Sequence, residues 1–273
     1  MAEQESWQVS NDAAEVYENC FVPAIFGQWA PRLVDIAQVA LGDRVLDVGC
    51  GTGVLARVAA DRVGDDRVTG LDLNEGMLGV ARRLKPQLDW CLGDAVSLPF
   101  ADASFDVVMS QFALMYFGDR IAALREMMRV LRPRGRLAVA VWDSYERAIG
   151  YKILTEIAQR RCGEPAADVL KAPFALGNKE MLFTLCETAG IDNAVVVLKE
   201  GTITYPTIEA FVETEIKGSP LEALLDAESY QELVQEAQEK LQKFCTGDGA
   251  IIMPMDALVV TAIKASLDKT SGN

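Results

Sequence analysis

The sequence predicts an α/β fold, a parallel sheet with helices on both of its faces, and three observations carry that reading. Residues 45–53, Val-Leu-Asp-Val-Gly-Cys-Gly-Thr-Gly, form a buried-type strand that runs into alternate glycines and then a helix opening at Val54. Further apolar strands at 67–72, 88–92, 104–110 and 136–142 alternate with helical patterns at 75–84 and 121–131. Half of the 273 residues are apolar, enough for one large core or a core with an appended cap.

The glycine turn is the most informative element. Glycines at alternate positions admit backbone angles closed to other residues and let a ligand lie directly on the main chain. The dinucleotide fingerprint G-x-G-x-x-G does not fit, because Val54 stands where its third glycine belongs. A phosphate-cradling loop does not fit either, since no Gly-Lys-Ser/Thr closes the turn. What remains is a turn suited to an uncharged or zwitterionic cofactor.

The strand 67–72 ends in Asp72, 25 residues beyond Asp47 and about one βαβ unit later. A carboxylate at that strand end can accept hydrogen bonds from both hydroxyls of a ribose, and it can equally cap the helix at 75–84. Gly93-Asp94-Ala95 follows the strand 88–92, and its plain reading is a Gly-Asp turn. The apolar run 104–110 is the fourth strand. Ser110, Gln111 and Phe112 lie at or just past its carboxyl end. The helix 121–131 stops at Arg132-Pro133-Arg134-Gly135 before the strand 136–142.

Taken together, Asp47-x-Gly49-x-Gly51-x-Gly53, Asp72, Gly93-Asp94-Ala95 and the Leu-Arg-Pro-Arg-Gly turn resemble the motifs of class I S-adenosylmethionine (SAM) dependent methyltransferases. The resemblance is dense over residues 43–142 and closest to the small-molecule enzymes of the ubiquinone/menaquinone-biosynthesis type. It implies a Rossmann-like, seven-stranded, mostly parallel sheet whose last strand is antiparallel, with a helical cap. It implies SAM as cofactor, S-adenosylhomocysteine as product, and a cofactor site drawn from Asp47, Gly49, Cys50, Gly51, Thr52 and Gly53 at the turn. Asp72 would take the ribose, Leu73 and Met77 would flank the adenine, and Asp94 with Gly93 and Ala95 would meet its amino group and ring nitrogen. Ser110, Gln111 and Phe112 would face the same crevice.

Outside this core, residues 1–42 read as an N-terminal helical segment over the active site, with Pro23 and Pro31 breaking the run at 11–40. Its Tyr17 and Trp29 are candidates for the cofactor or substrate pocket, the other reading being packing on the sheet. Residues 43–145 are the SAM-binding core, and 146–273 complete the sheet. That last part holds a helix at 146–162, a loop through Pro165 and Pro173, a helix at 179–189, and strands at 194–199 and 257–263. Between those two strands, residues 207–249 are helical and acidic. They form a cap insertion of the kind that acts as a lid, or a solvated face.

Composition narrows the substrate class. With 40 acidic and 26 basic residues the formal charge is −14, a field that repels nucleic acid. Ser110-Gln111-Phe112-Ala113 also lacks the Asn/Asp-Pro-Pro-aromatic run of base-methylating enzymes. A small-molecule acceptor is expected. No apolar run is long enough to span a membrane and the N-terminus lacks the regions of a signal peptide, so a cytoplasmic protein, monomeric or homodimeric, is expected. The six cysteines are scattered without a C-x-x-C pair and read as reduced thiols, and no metal site is legible.

The chain contains no histidine. That excludes a histidine-based O-methyl transfer and leaves proximity and orientation as the main source of catalysis. A base, where the acceptor needs one, must be Asp, Glu, Tyr or water, and Tyr116, Tyr145, Glu146 and Glu215 are the candidates by position; Tyr116 is also a candidate for the acceptor pocket. Two alternatives stand beside methyl transfer: another SAM chemistry (aminopropyl transfer, or SAM-assisted decarboxylation or hydroxylation) and a non-catalytic SAM-binding module.

Overall fold

The computed structural model describes residues 11–266 of the chain. The expectation about a signal sequence, like the first ten residues of the N-terminal segment, lies outside them. The core sheet holds β1 (Val45–Val48), β2 (Val68–Asp72), β3 (Asp89–Leu92), β4 (Phe105–Gln111), β5 (Leu131–Trp142), β6 (Val195–Lys199) and β9 (Ala257–Ile263) in the order β3-β2-β1-β4-β5-β9-β6. Neighbours from β3 to β5 are parallel, and β9 runs antiparallel to both β5 and β6. All four residues of β1 are buried, as a central strand covered on both faces requires. The strand order reverses between β1 and β4, so a crevice opens at the carboxyl ends of these strands, where such sheets bind ligands.

Between the strands run α3 (Val54–Val63), α4 (Glu75–Leu84), α5 (Arg120–Val130) and α8 (Lys179–Thr188). Helix starts follow side-chain chemistry. Asn74, Asp119 and Asn178 each accept the amide three residues on, satisfying a donor that the helix leaves open.

The N-terminal segment departs from expectation at Pro23. After α1 (Asn11–Val16) the chain continues as a π-helix from Tyr17 to Phe26, and α2 (Trp29–Ile36) follows. A π turn pairs each amide with the carbonyl five residues back, as Gly27 does with Val22 at 2.7 Å. The wider turn carries the chain past Pro23 without a break. Arg57 of α3 pairs with Glu18 at 2.7 Å, tying this segment over the glycine turn.

The cap also differs in detail. After α6 (Ile149–Cys162), the expected loop contains α7 (Glu164–Lys171), with Pro165 in its first turn where a missing amide costs nothing. The insertion carries α9 (Ile208–Lys217) and α10 (Ala227–Leu241) and starts and ends on a two-stranded ribbon, β7 (Thr202–Tyr205) with β8 (Ile251–Pro254), that the sequence pattern did not announce. In α10, Leu233, Val234, Ala237 and Leu241 are buried. Glu232 and Glu236 pair with Arg161 and Arg160 of α6, so the acidic helix is docked along an apolar seam rather than left as a free solvated face.

Candidate active site

The three turn glycines all take left-handed angles, with φ of +71° at Gly49, +55° at Gly51 and +86° at Gly53. Two of them also make room for neighbours. A Cβ on Gly49 would lie 2.5 Å from the Ala113 side chain, and one on Gly53 would lie 2.3 Å from the Trp90 ring. Gly51 is less crowded, since a Cβ there would meet only the Tyr17 ring, at 3.7 Å. The amides of Gly49 and Cys50 both donate to the Leu71 carbonyl, which fastens the turn to β2.

Asp72 holds the turn from the other side. Its Oδ2 accepts the Gly51 amide at 2.7 Å and its Oδ1 the Asn74 amide at 2.8 Å. The cap of α4 is Asn74, whose Oδ1 accepts from Met77, so Asp72 is not that helix's N-cap. Burial pushes the Asp72 carboxyl up, opposed by the amides of Asn74, Gly51 and Leu73.

These groups open onto one cavity of about 280 Å³, lined at this end by Gly49, Gly51, Asp72, Leu73 and Met77. Gly93, Asp94 and Ala95 continue the wall; the Gly93 amide donates to the Asp72 carbonyl at 3.0 Å and Asp94 Oδ1 accepts from Val96 at 3.1 Å. Gln111, the last residue of β4, and Phe112, just past it, also line it. Phe112 holds φ of +54° and stacks on Trp142 with ring centroids 3.5 Å apart, while Gln111 Nε2 donates to the Phe26 carbonyl at 3.3 Å.

Several residues named from the sequence stand behind the cavity rather than on it. Asp47 is buried beneath the turn; its Oδ2 accepts the Ala56 amide at 3.0 Å, and burial pushes its carboxyl up to about 8 against that bond. Cys50 packs toward Gly70 and β2, with its thiol pushed up by burial, and is not a nucleophile in waiting. Thr52 is fully buried, Gly53 accommodates Trp90, and Ser110 is enclosed within the sheet. Trp29 is likewise core: it meets Phe112 and Trp142 edge-on and does not reach the cavity. The strand periodicity puts alternate residues on opposite faces, which is why Ser110 and Gln111 part company.

The rest of the cavity is walled by the N-terminal segment and the cap. Tyr17, Phe21 and Phe26 come from the π-helix, Tyr116 from the turn after β4, Tyr151 from α6 and Glu215 from α9. Glu215 is only 6% exposed and its carboxyl is pushed up to about 7 by burial, which hydrogen bonds from Tyr151 and Tyr205 oppose. The other two base candidates are elsewhere: Glu146 forms an exposed ion pair with Lys152, and Tyr145 packs edge-on against Phe174 with its hydroxyl donating to the Lys152 carbonyl. Tyr151 escaped the sequence reading, since only tertiary packing brings α6 here. Among the described residues no cluster of His, Cys, Asp or Glu could hold a metal, and no helix is long and apolar enough to cross a membrane.

Residues 46–139 match the family described as a methyltransferase domain. The chain is 44% identical over 153 residues to a demethylmenaquinone methyltransferase of Renibacterium salmoninarum, covering 53% of this chain and 64% of that protein. It is 34% identical over 151 residues to the chloroplastic 2-phytyl-1,4-beta-naphthoquinone methyltransferase of Arabidopsis thaliana, covering 51% and 58%. The chain therefore spans less than two thirds of the length of these relatives. Among solved structures, phosphoethanolamine N-methyltransferase 2 of Haemonchus contortus superposes with a TM-score of 0.61 at 21% identity, covering 97% of this chain and 59% of that one. The YcgJ protein of Bacillus subtilis gives 0.60 at 19%, covering 88% and 99%. At these identities the structures speak for the fold alone. Residues 46–139 are thus similar to a methyltransferase domain, and the relatives that this part of the chain resembles are named as quinone-biosynthesis methyltransferases.

Proposed function

We propose that the chain transfers a methyl group from SAM to a small aromatic acceptor, and that the cavity at the carboxyl ends of β1, β2 and β4 holds both. The observation that carries this reading is the pairing of Asp72 with the backbone at Gly51 on one wall of an otherwise aromatic and apolar cavity. The donor set fits SAM. Asp72 offers carboxylate oxygens to a ribose diol, and the Gly51 main chain lines the cavity beside them. Leu73 and Met77 supply an apolar wall for adenine, and Asp94 an acceptor for its amino group.

When bound, SAM supplies an electrophilic methyl group on a sulfonium. What the chain itself contributes is position and exclusion of water. Tyr17, Phe21 and Phe26 close the cavity from the N-terminal side, and the Phe112–Trp142 stack gives the acceptor a flat, rigid wall. An aromatic ring is the acceptor that such walls favour. The names of the relatives point the same way, to a menaquinone or naphthoquinone ring.

The test is transfer of label from methyl-labelled SAM to 1,4-dihydroxynaphthalene derivatives under reducing conditions. Label in the ring product, lost on Asp72→Ala, supports the reading. Absence of label with SAM demonstrably bound would remove the quinone-type acceptor from it.

A further inference from the structure

Three carboxylates line the cavity, and they are held differently. Asp72 is held by the amides of Gly51 and Asn74, and Asp94 accepts the Val96 amide. Glu215 instead meets only hydroxyls. Its Oε1 accepts from Tyr151 at 2.5 Å and from Tyr205 at 3.5 Å, while its Oε2 accepts no hydrogen bond among the described residues. The side chain sits on the buried face of α9, one turn from Phe211 and beside Ile216. A carboxylate there is costly to bury unless it is paired. No cation is among the groups that set its charge.

Among the described residues, the titratable groups that interact with Glu215 are Tyr151 from α6, Tyr205 from β7 and Tyr116 from the turn after β4, all of them phenols held neutral by burial. Two are placed to stabilise the ionised carboxylate through Oε1. The second oxygen is thus left for something that enters the cavity, and a donor hydroxyl on an aromatic ring matches both the free oxygen and the aromatic walls.

We propose that Glu215 Oε2 recognises an aromatic hydroxyl of the acceptor and takes its proton. This inference rests on the methyltransferase reading and adds the residue that activates the acceptor. In the step, the acceptor's O–H bond breaks, its electron pair stays on the acceptor, the proton forms a new O–H bond at Oε2, and Tyr151 and Tyr205 remain donors to Oε1. A carboxylate whose pKa lies near neutrality is matched to that task in a chain without histidine.

The experiment uses the full chain loaded with S-adenosylhomocysteine and three probes: 1-naphthol, its methyl ether, and the 1-naphthylmethylammonium cation. Naphthol is expected to bind about tenfold tighter than the ether at about pH 8, the scale of one hydrogen bond to a charged group. That preference should shrink as the pH falls below about 6 and vanish in Glu215→Gln, while affinity for S-adenosylhomocysteine is retained. Tyr151→Phe, which removes one donor to the carboxylate, should move the midpoint of the preference to higher pH. The wild-type pH profile and the Tyr151→Phe shift decide the matter even where Glu215→Gln does not fold. Equal binding of naphthol and ether, a preference that survives in Glu215→Gln, or tighter binding of the ammonium would each overturn the inference. Failure of the wild-type chain to bind S-adenosylhomocysteine would instead bring down the reading beneath it.

Discussion

The Asp72 carboxylate accepts the Gly51 amide at 2.7 Å, so the last side chain of the second strand locks the turn that ends the first. One residue thereby shapes the main chain and presents an anion to the cavity it borders. Asp72→Ala is expected to weaken S-adenosylhomocysteine binding by about 1.5 to 3 kcal/mol, the scale of hydrogen bonds to a charged group. Calorimetric titration checks it. A loss of thermal stability with affinity unchanged would mean that the carboxylate serves the turn alone.

The three glycines should fail in different ways. Gly53→Ala adds a left-handed side chain against the Trp90 ring and is expected to cost about 3 kcal/mol or more in folding stability. Gly51→Ala meets only the Tyr17 ring at van der Waals distance and should cost about 1 kcal/mol, yet it intrudes on the cavity and should weaken ligand binding more than Gly53→Ala does in whatever fraction folds. Denaturant unfolding beside titration separates the two effects.

The cap's attachment can be apportioned. Leu233 is fully buried in α10, and Leu233→Ala should cost about 2 to 4 kcal/mol. Arg161 is partly exposed in its ion pairs with Glu232 and Glu236, and Arg161→Ala should cost less than about 1 kcal/mol. Comparable losses in urea unfolding would mean that charge rather than the apolar seam holds the cap.

Stability should carry a pH signature at Glu215. Folding raises its carboxyl from 4.5 to about 7, so the folded state binds the proton more tightly than the unfolded one. The contribution is therefore fully present below about pH 4 and lost as the pH climbs to about 7, a change of about 3 kcal/mol. Glu215→Gln lacks this loss, and its stability relative to wild type should rise between about pH 5 and 8. Asp47 and Asp72 shift in the same sense but are common to both proteins and cancel. Unfolding curves at the two pH values check it; a constant gap would show that Glu215 does not titrate in this window.

Much of the core was legible because its constraints are local. The strand-glycine-helix turn, Asp72 and Asp94 each declare themselves within a few residues, and β9 could be placed as antiparallel from the resemblance. What the sequence concealed depends on distant partners. Gly53 serves Trp90 and Gly49 serves Ala113, contacts that no spacing rule contains. Pro23 read as a break because the rule assumes an α-helix, whereas a π-helix carries the chain through it. The ribbon of β7 and β8 is four residues a side and lies apart in sequence, too short for an alternating pattern to stand out. Trp29 drew notice as an aromatic near the site, but only packing reveals that it supports the Phe112–Trp142 stack from behind.

The most direct test of the central claim is calorimetric titration of the purified chain with S-adenosylhomocysteine. Micromolar binding that weakens with Asp72→Ala is the expected result; a folded chain that takes up no ligand at millimolar concentration would contradict the assignment of this cavity to SAM.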